Sequence, residues 1–146
     1  MDALSRDLKG AALDWAFFKA TNVNAKVYLA SGSAMVLYTP KGKRSSQPFN
    51  PQSNPKLVFP FIEELGISVV KCDGRWVASS AKATETETYG RQGDYCGSVY
   101  AIDADDDRVV TGDTMLVAAM RCIVLAKLGE WVVLPDVGTV GGKVVW

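Results

Sequence analysis

Residues 113–129, DTMLVAAMRCIVLAKLG, decide the fold, because they form the longest apolar segment of the chain. Asp113 stands where a helix begins and Gly129 where one ends, and both residue types are common at those positions. Lys127 falls in the last turn, where a positive charge suits the helix dipole. Between these ends the segment is apolar on every face, which predicts a central helix surrounded by protein.

Arg121 is the one charge in the middle of this helix. A buried guanidinium without a partner is costly, so it needs an anionic group or a cleft. The simpler interpretation is an internal ion pair with Asp14, the only charge in the middle of the first predicted helix. The alternative is that Arg121 and Trp15 bind an anionic or planar ligand, although a tryptophan on an apolar stripe is more typical of a core.

The remaining pattern predicts an α+β fold in which antiparallel hairpins pack against two main helices, over about 7–19 and 113–129. A short helix is expected over 60–65, with Pro60 at its start and Gly66 at its end. Turn signals between apolar runs predict three hairpins. These pair 26–30 with 34–39, 67–72 with 75–79, and 98–102 with 108–111. Strands are further expected over 130–134, before Pro135, and in the tail 141–146.

One domain is expected over residues 1–146, a common domain size. Two stretches lack hydrophobic periodicity, 40–55 and 81–97, and are expected to be long loops or insertions. The basic residues Lys41, Lys43 and Arg44 fall in the first stretch beside glycine and serines, which is typical of a solvated loop.

Composition excludes several kinds of site. Lys and Arg together number 16, as do Asp and Glu, so the net charge is zero and no duplex nucleic acid partner is expected. The chain has no histidine, which excludes Ser-His-Asp and Cys-His catalysis and most zinc sites. We therefore expect no metal and no cofactor.

The three cysteines lie far apart and are odd in number, which favours reduced thiols in a cytoplasmic protein. Residues 1–10, MDALSRDLKG, lack the apolar run of a secretory signal. The apolar run 115–128 is interrupted by Arg121 and too short to span a bilayer, so no membrane contact is expected.

No motif supplies a complete catalytic or metal-binding set. Asp103, Asp105 and Asp107 have the spacing that opens a calcium loop, but Arg108 stands where that loop needs glycine. Thr114 stands where it needs glutamate. The carboxylates Glu85 and Glu87, in a threonine-rich run, are most simply surface groups.

Residues 10–20, 49–54 and 114–135 contain three motifs that resemble those of the NinX-like group of small phage accessory proteins. Residues 10–20, GAALDWAFFKA, are similar to the family's opening GxALDWAxxKA motif. Residues 114–121, TMLVAAMR, followed by KLG at 127–129 and VVLP at 132–135, are similar to its closing motif. Residues 49–54, FNPQSN, resemble the family's YSPSTD loop, from which Gln52, Ser53 and Asn54 depart.

The resemblance implies phage origin and action in the cytoplasm of the infected bacterial host, and it supplies no reaction. The leading hypothesis is a phage-encoded non-catalytic accessory protein that binds a host component and antagonises an antiviral defence. Homo-oligomers are left open.

Two alternatives come from other functional classes. One is a sponge that sequesters a small anionic nucleotide-like signal, since arginine suits a phosphate and an aromatic ring suits a base. The other is a carboxylate-dependent enzyme using the acidic segment after Thr84. The candidate ligand- or partner-binding residues are Asp14, Trp15, Asn50, Gln52, Ser53, Asn54 and Arg121.

Overall fold

In the described part of the chain, three α-helices and a series of short antiparallel strands build the α+β fold that the sequence predicts. The computed structural model describes residues 1–48, 55–81, 84–101, 106–140, 143–144 and 146. The helices are α1 (Gly10–Ala20), α2 (Phe59–Leu65) and α3 (Met115–Leu128). The strands are β1 (Asp2–Leu4), β2 (Ala25–Ala30), β3 (Ser33–Tyr38), β4 (Gln47–Pro48), β5 (Ser68–Cys72), β6 (Arg75–Ser79), β7 (Thr84–Tyr89), β8 (Tyr95–Ala101), β9 (Val109–Gly112), β10 (Trp131–Val133), β11 (Thr139–Val140) and β12 (Lys143–Val144).

The central helix is confirmed as α3, with Thr114 rather than Asp113 as its capping residue. The Thr114 hydroxyl accepts a hydrogen bond from the Val117 amide at 3.1 Å, which satisfies one of the amides left free at a helix start. α3 packs between α1 and the sheet β5–β6–β9. Residues 118–120 and 122–124 are buried, whereas Arg121 between them is half-buried and Ala126 and Lys127 in the last turn are exposed. The helix is therefore not enclosed on every face along its whole length.

The first helix begins later than predicted. Residues Ser5–Asp7 form a separate 3-10 turn, and Leu8 and Lys9 are extended, so α1 starts at Gly10 and not at residue 7. The physical reason is a tertiary contact: the Leu8 carbonyl accepts a hydrogen bond from Arg121 and is not used inside a helix. α1 then packs against α3 and against both strands of the β2–β3 hairpin, where Phe18 stacks on Tyr38.

The first two predicted hairpins are confirmed. β2 pairs with β3 across Ser31 and Gly32, and β5 pairs with β6 across Asp73 and Gly74. All four turn residues have positive φ, between 49° and 78°, which is the conformation of the tightest hairpin turn. The short helix α2 is also confirmed, and Gly66 ends it in the left-handed conformation at φ 62°.

The third predicted hairpin is wrong. β8 pairs with β7, inside the stretch 81–97 that was expected to be a long loop, while β9 pairs with β6. The alternating Thr and Glu residues of β7 have the period of a strand, and a turn closed by Gly90 and Asp94 brings β8 beside it (N···O 2.7 Å). β9 is drawn instead to β6 because Val110 is buried in the core.

Two strands far apart in the chain pair in a ribbon that the sequence did not predict. β1 pairs with the expected strand β10, with Leu4 opposite Trp131 and Asp2 opposite Val133. In the tail, β12 pairs with β11, while residues 141, 142 and 145 lie outside the described residues. The predicted loop 40–55 contains β4, which pairs with β3. Its residues 49–54 lie outside the described part of the chain.

Candidate functional site

Arg121 does not pair with Asp14, which corrects the ion-pair interpretation. Its Nε donates to the Leu8 carbonyl at 2.7 Å and its Nη1 donates to the Thr111 carbonyl at 2.8 Å. The planar guanidinium thus joins the segment before α1 to the edge strand β9. Burial lowers the pKa of Arg121, against the opposing effect of the Asp7 and Asp113 carboxylates. Arg121 therefore has a structural role, because two of the three nitrogen atoms of its guanidinium donate hydrogen bonds to backbone carbonyls. We call this pair of hydrogen bonds the clasp.

Asp14 is half-buried, and none of the ion pairs formed within the described residues includes it. It lies one helical turn before Phe18, whose ring stacks on Tyr38 of β3, so Asp14 shares the helix side that faces the β2–β3 hairpin. Loss of solvent at this position raises the pKa of the Asp14 carboxyl to about 7. No cation contributes to that shift.

The other candidate residues of the sequence lie partly inside and partly outside the described part of the chain. Trp15 is half-buried at the core, and the Lys19 ammonium lies over its ring at 5.1 Å from the centroid. Asn50, Gln52, Ser53 and Asn54 lie outside the described residues. In the predicted acidic segment, Glu87 is exposed and accepts a hydrogen bond from the Tyr89 hydroxyl.

A different place in the fold forms a concave site. The C-terminal half of α1, the end of β3 and the start of α2 enclose an apolar pocket of about 260 Å³. Its residues are Phe17, Phe18, Thr21, Val23, Tyr38, Pro40, Lys41, Lys56, Leu57, Pro60 and Phe61. We call this set the aromatic pocket.

Ring contacts build the walls of the aromatic pocket. Phe18 stacks on Tyr38 at 4.7 Å between centroids, and Phe17 meets the edge of Phe61 at 5.9 Å. These contacts join α1 to β3 and to α2, so the three elements hold one another in place. Gln47 of β4 donates to the Tyr38 hydroxyl at 2.6 Å, which fixes the polar end of that ring.

Two lysines, Lys41 and Lys56, line the mouth of the aromatic pocket, and both are exposed. Lys43 and Arg44, also exposed, follow Lys41 on the same loop. No acidic residue is among the described residues that line the pocket. The basic residues Lys41, Lys43 and Arg44 are exposed to solvent, as the sequence predicted. Lys41 also borders the aromatic pocket.

The polar groups of the aromatic pocket suit binding more than bond making. The Thr21 hydroxyl donates to the Phe17 carbonyl at 2.9 Å, and the Tyr38 hydroxyl accepts from Gln47. Among the described residues that line the pocket, none is a carboxylate or an imidazole that could act as a base. Within the described ranges, no group of three or more Cys, Asp or Glu residues could hold a metal ion. No helix in those ranges is both long and apolar enough to cross a membrane.

The sequence contained a signal for this site that the helix pattern left unexplained. Phe17 and Phe18 are adjacent, so they point to different sides of α1 and must be covered by two different elements. β3 contacts Phe18 and α2 contacts Phe17. These are tertiary contacts, which no local sequence pattern predicts.

A scan against protein-family models matches none, and a search of curated proteins finds no similar protein. The resemblance to NinX-like phage proteins therefore stays a prediction based on the motifs in residues 10–20, 49–54 and 114–135.

Proposed function

We propose that this chain is a non-catalytic binding protein that holds a protein partner at the aromatic pocket. The motif resemblance supplies the biological part of the proposal, in which the chain is a phage-encoded accessory protein and the partner is a component of the bacterial host. Antagonism of a host antiviral defence is the role we propose for that binding.

The observation that supports binding is the aromatic pocket itself. It is concave, lined mainly by apolar and aromatic side chains, and bordered by a few charged groups, which is the usual make-up of a recognition site. Its walls are already in contact with one another, so little ordering free energy is spent when a partner docks.

A chemical argument supports the proposal that the protein is not an enzyme. A hydroxyl nucleophile needs a neighbouring base, and an amine nucleophile needs a desolvated environment that lowers its pKa. The hydroxyls that line the pocket are engaged in other hydrogen bonds, and Lys41 and Lys56 are exposed. These groups provide contacts and charge to a bound partner.

A test compares capture of host proteins by the wild type and by Phe61→Glu, which places a charge inside the aromatic pocket. We expect the wild type to retain a bacterial protein that Phe61→Glu loses. Val133→Glu is the matched control, because Val133 is 67% exposed and is not among the residues that line the pocket. Thermal melting of each variant separates lost binding from lost folding.

Val23→Phe is the second variant, since it fills the aromatic pocket without adding charge. The purified partner is then titrated against all four proteins by calorimetry. No retained protein, together with unchanged phage growth on defence-bearing hosts that express the chain, would overturn the proposal. Equal retention by the wild type and both pocket variants would overturn the assignment of the pocket.

A further inference from the structure

We infer that two copies of this chain pair along the outer edge of β10, strand against strand, to form a dimer. The inference goes beyond the proposed function, because neither Trp131 nor Val133 is among the residues that line the aromatic pocket. It follows from the hydrogen bonds of the β1–β10 ribbon, from the exposure of β10 and from its lack of charge.

Backbone hydrogen bonds fix which groups of β10 face β1. At one end of the ribbon the Leu134 amide donates to the Met1 carbonyl at 2.8 Å, and the Met1 nitrogen donates to the Leu134 carbonyl at 3.3 Å. At the other end the Ser5 amide donates to the Glu130 carbonyl at 2.8 Å. Because bonded and non-bonded pairs alternate in an antiparallel ladder, Val132 is the bonded residue between these ends.

Trp131 and Val133 therefore stand in the non-bonded pairs, opposite Leu4 and Asp2. Their amides and carbonyls point away from β1, toward the other side of β10. In the described part of the chain β10 has no strand neighbour besides β1, so this row of donors and acceptors forms an open edge. An open edge is a template for pairing with another strand.

The side chains along this edge are apolar and exposed. Trp131 is 60% exposed and Val133 is 67% exposed, whereas Val132 between them is buried. The two exposed side chains therefore lie on the outer face of the ribbon. Charged residues commonly protect an edge strand from pairing, and the exposed Asp2 does so on β1. Residues 131–133 carry no charge, so β10 lacks that protection.

A second copy of β10 fits this edge in one register. With Val132 opposite Val132 of the second copy, Trp131 of each copy faces Val133 of the other, and both residues of each pair exchange hydrogen bonds. A register centred on Val133 would place Pro135, which has no amide hydrogen, opposite Trp131. A register centred on Trp131 would place Gly129 in the ladder, and its φ of 90° is not that of a strand.

The chemistry of the edge suits self-pairing by a two-fold axis. Trp131 and Val133 of the other copy form an aromatic and β-branched pair, which stabilises a sheet. Two uncharged strands meet without repulsion, and the neighbouring Glu130 already pairs with Arg6 at 3.8 Å. Because strands of three residues bury less than the roughly 1,200 Å² of a stable interface, we expect a reversible dimer that forms at high protein concentration.

Sedimentation velocity from low to high micromolar protein tests the inference, with a reductant present to exclude disulfides of the exposed Cys72 and Cys96. We expect the wild type to shift reversibly from the 15.7 kDa monomer toward twice that mass. Val133→Pro should weaken the dimer about tenfold or more, because it removes an edge amide that β1 does not use. Val133→Lys should also weaken it, whereas the matched control Val70→Lys should not, since Val70 is a 52% exposed valine on β5.

Hydrogen exchange of the wild type provides a second measurement that needs no variant. The Trp131 and Val133 amides should exchange quickly in dilute protein and slowly in concentrated protein. The Leu134 amide should be protected at both concentrations, because it donates to Met1. Thermal melting of each variant separates a lost dimer from a lost fold.

Each remaining outcome counts against the inference. A wild type that stays monomeric over the whole concentration range would overturn it. A dimer that both Val133 variants leave unchanged would place the contact elsewhere and would overturn it as well. Protection of the edge amides only when a captured host protein is added would assign the edge to a host strand. Host capture at the aromatic pocket is a separate result, because the edge variants leave the pocket residues in place.

Discussion

Arg121→Met should destabilise the protein strongly, and the loss should not depend on Asp14. The substitution keeps much of the apolar stem of the side chain and removes both donors, at 2.7 Å to Leu8 and 2.8 Å to Thr111. A hydrogen bond to a charged group contributes about 1.5–3 kcal/mol to stability. Because Arg121 is only half-buried, we take the lower end and expect a loss of about 3 kcal/mol. For a chain of this size the melting temperature should fall by about 10 °C.

A double-mutant cycle with Asp14→Asn distinguishes the clasp from an ion pair. Denaturant unfolding of the wild type, both single variants and the double variant is measured at pH 8, where Asp14 would be ionised and an ion pair strongest. Since no ion pair joins the two side chains, we expect the two losses to add within about 0.5 kcal/mol.

Arg121→Lys is the matched control, because it keeps the charge and loses the planar fork. We expect it to be destabilised, though less than Arg121→Met. A coupling free energy above about 1 kcal/mol in the cycle, or a fully stable Arg121→Lys, would refute the clasp and restore the ion pair.

Three further predictions concern single positions. Asp14 has a folded-state pKa of about 7, above its usual value, so its protonated form is favoured in the fold. Stability should therefore fall by roughly 3–4 kcal/mol as pH rises from 4 to 8, and denaturant titrations of Asp14→Asn should show a smaller fall. Gly112→Ala should lower the free energy of unfolding by about 2–3 kcal/mol, because a Cβ there would lie 2.6 Å from a backbone nitrogen of α3. Wild-type stability in this variant would contradict that close approach. Burial raises the pKa of Cys122 to about 11, whereas Cys72 and Cys96 are exposed. A thiol reagent should therefore label Cys72 and Cys96 in the folded protein, and Cys122 only in denaturant. Fast native labelling of Cys122 would show that the centre of α3 opens readily.

Local signals in the sequence were sufficient for the helices and the tight hairpins. The apolar run of α3 is long enough to have only one interpretation, and Asp73-Gly74 and Ser31-Gly32 need the positive φ values that they adopt. Pro60 and Gly66 likewise mark both ends of α2. In each case the physical cause lies within a few residues of the effect.

Strand pairing was not predictable in the same way. The run from Thr84 to Tyr89 alternates Thr and Glu, but its polarity concealed the strand that pairs with β8. β9 could pair with either neighbour by its local pattern, and burial of Val110 against the core decided for β6. That choice depends on residues far apart in the chain.

The candidate site shows the same limit. The sequence identified Arg121 as a residue that needs a partner, and a carbonyl partner has no signature because every residue carries one. The aromatic pocket forms where Phe17 and Phe18 meet β3 and α2, and only the assembled fold brings Lys41 and Lys56 to its mouth.

The central claim is that the protein binds a partner at the aromatic pocket. Protein-observed NMR titration with a host protein captured by the wild type tests it directly. We predict that the partner shifts the resonances of Val23, Leu57 and Phe61 and leaves Val133 unaffected. Shifts confined to residues outside the pocket would contradict the claim.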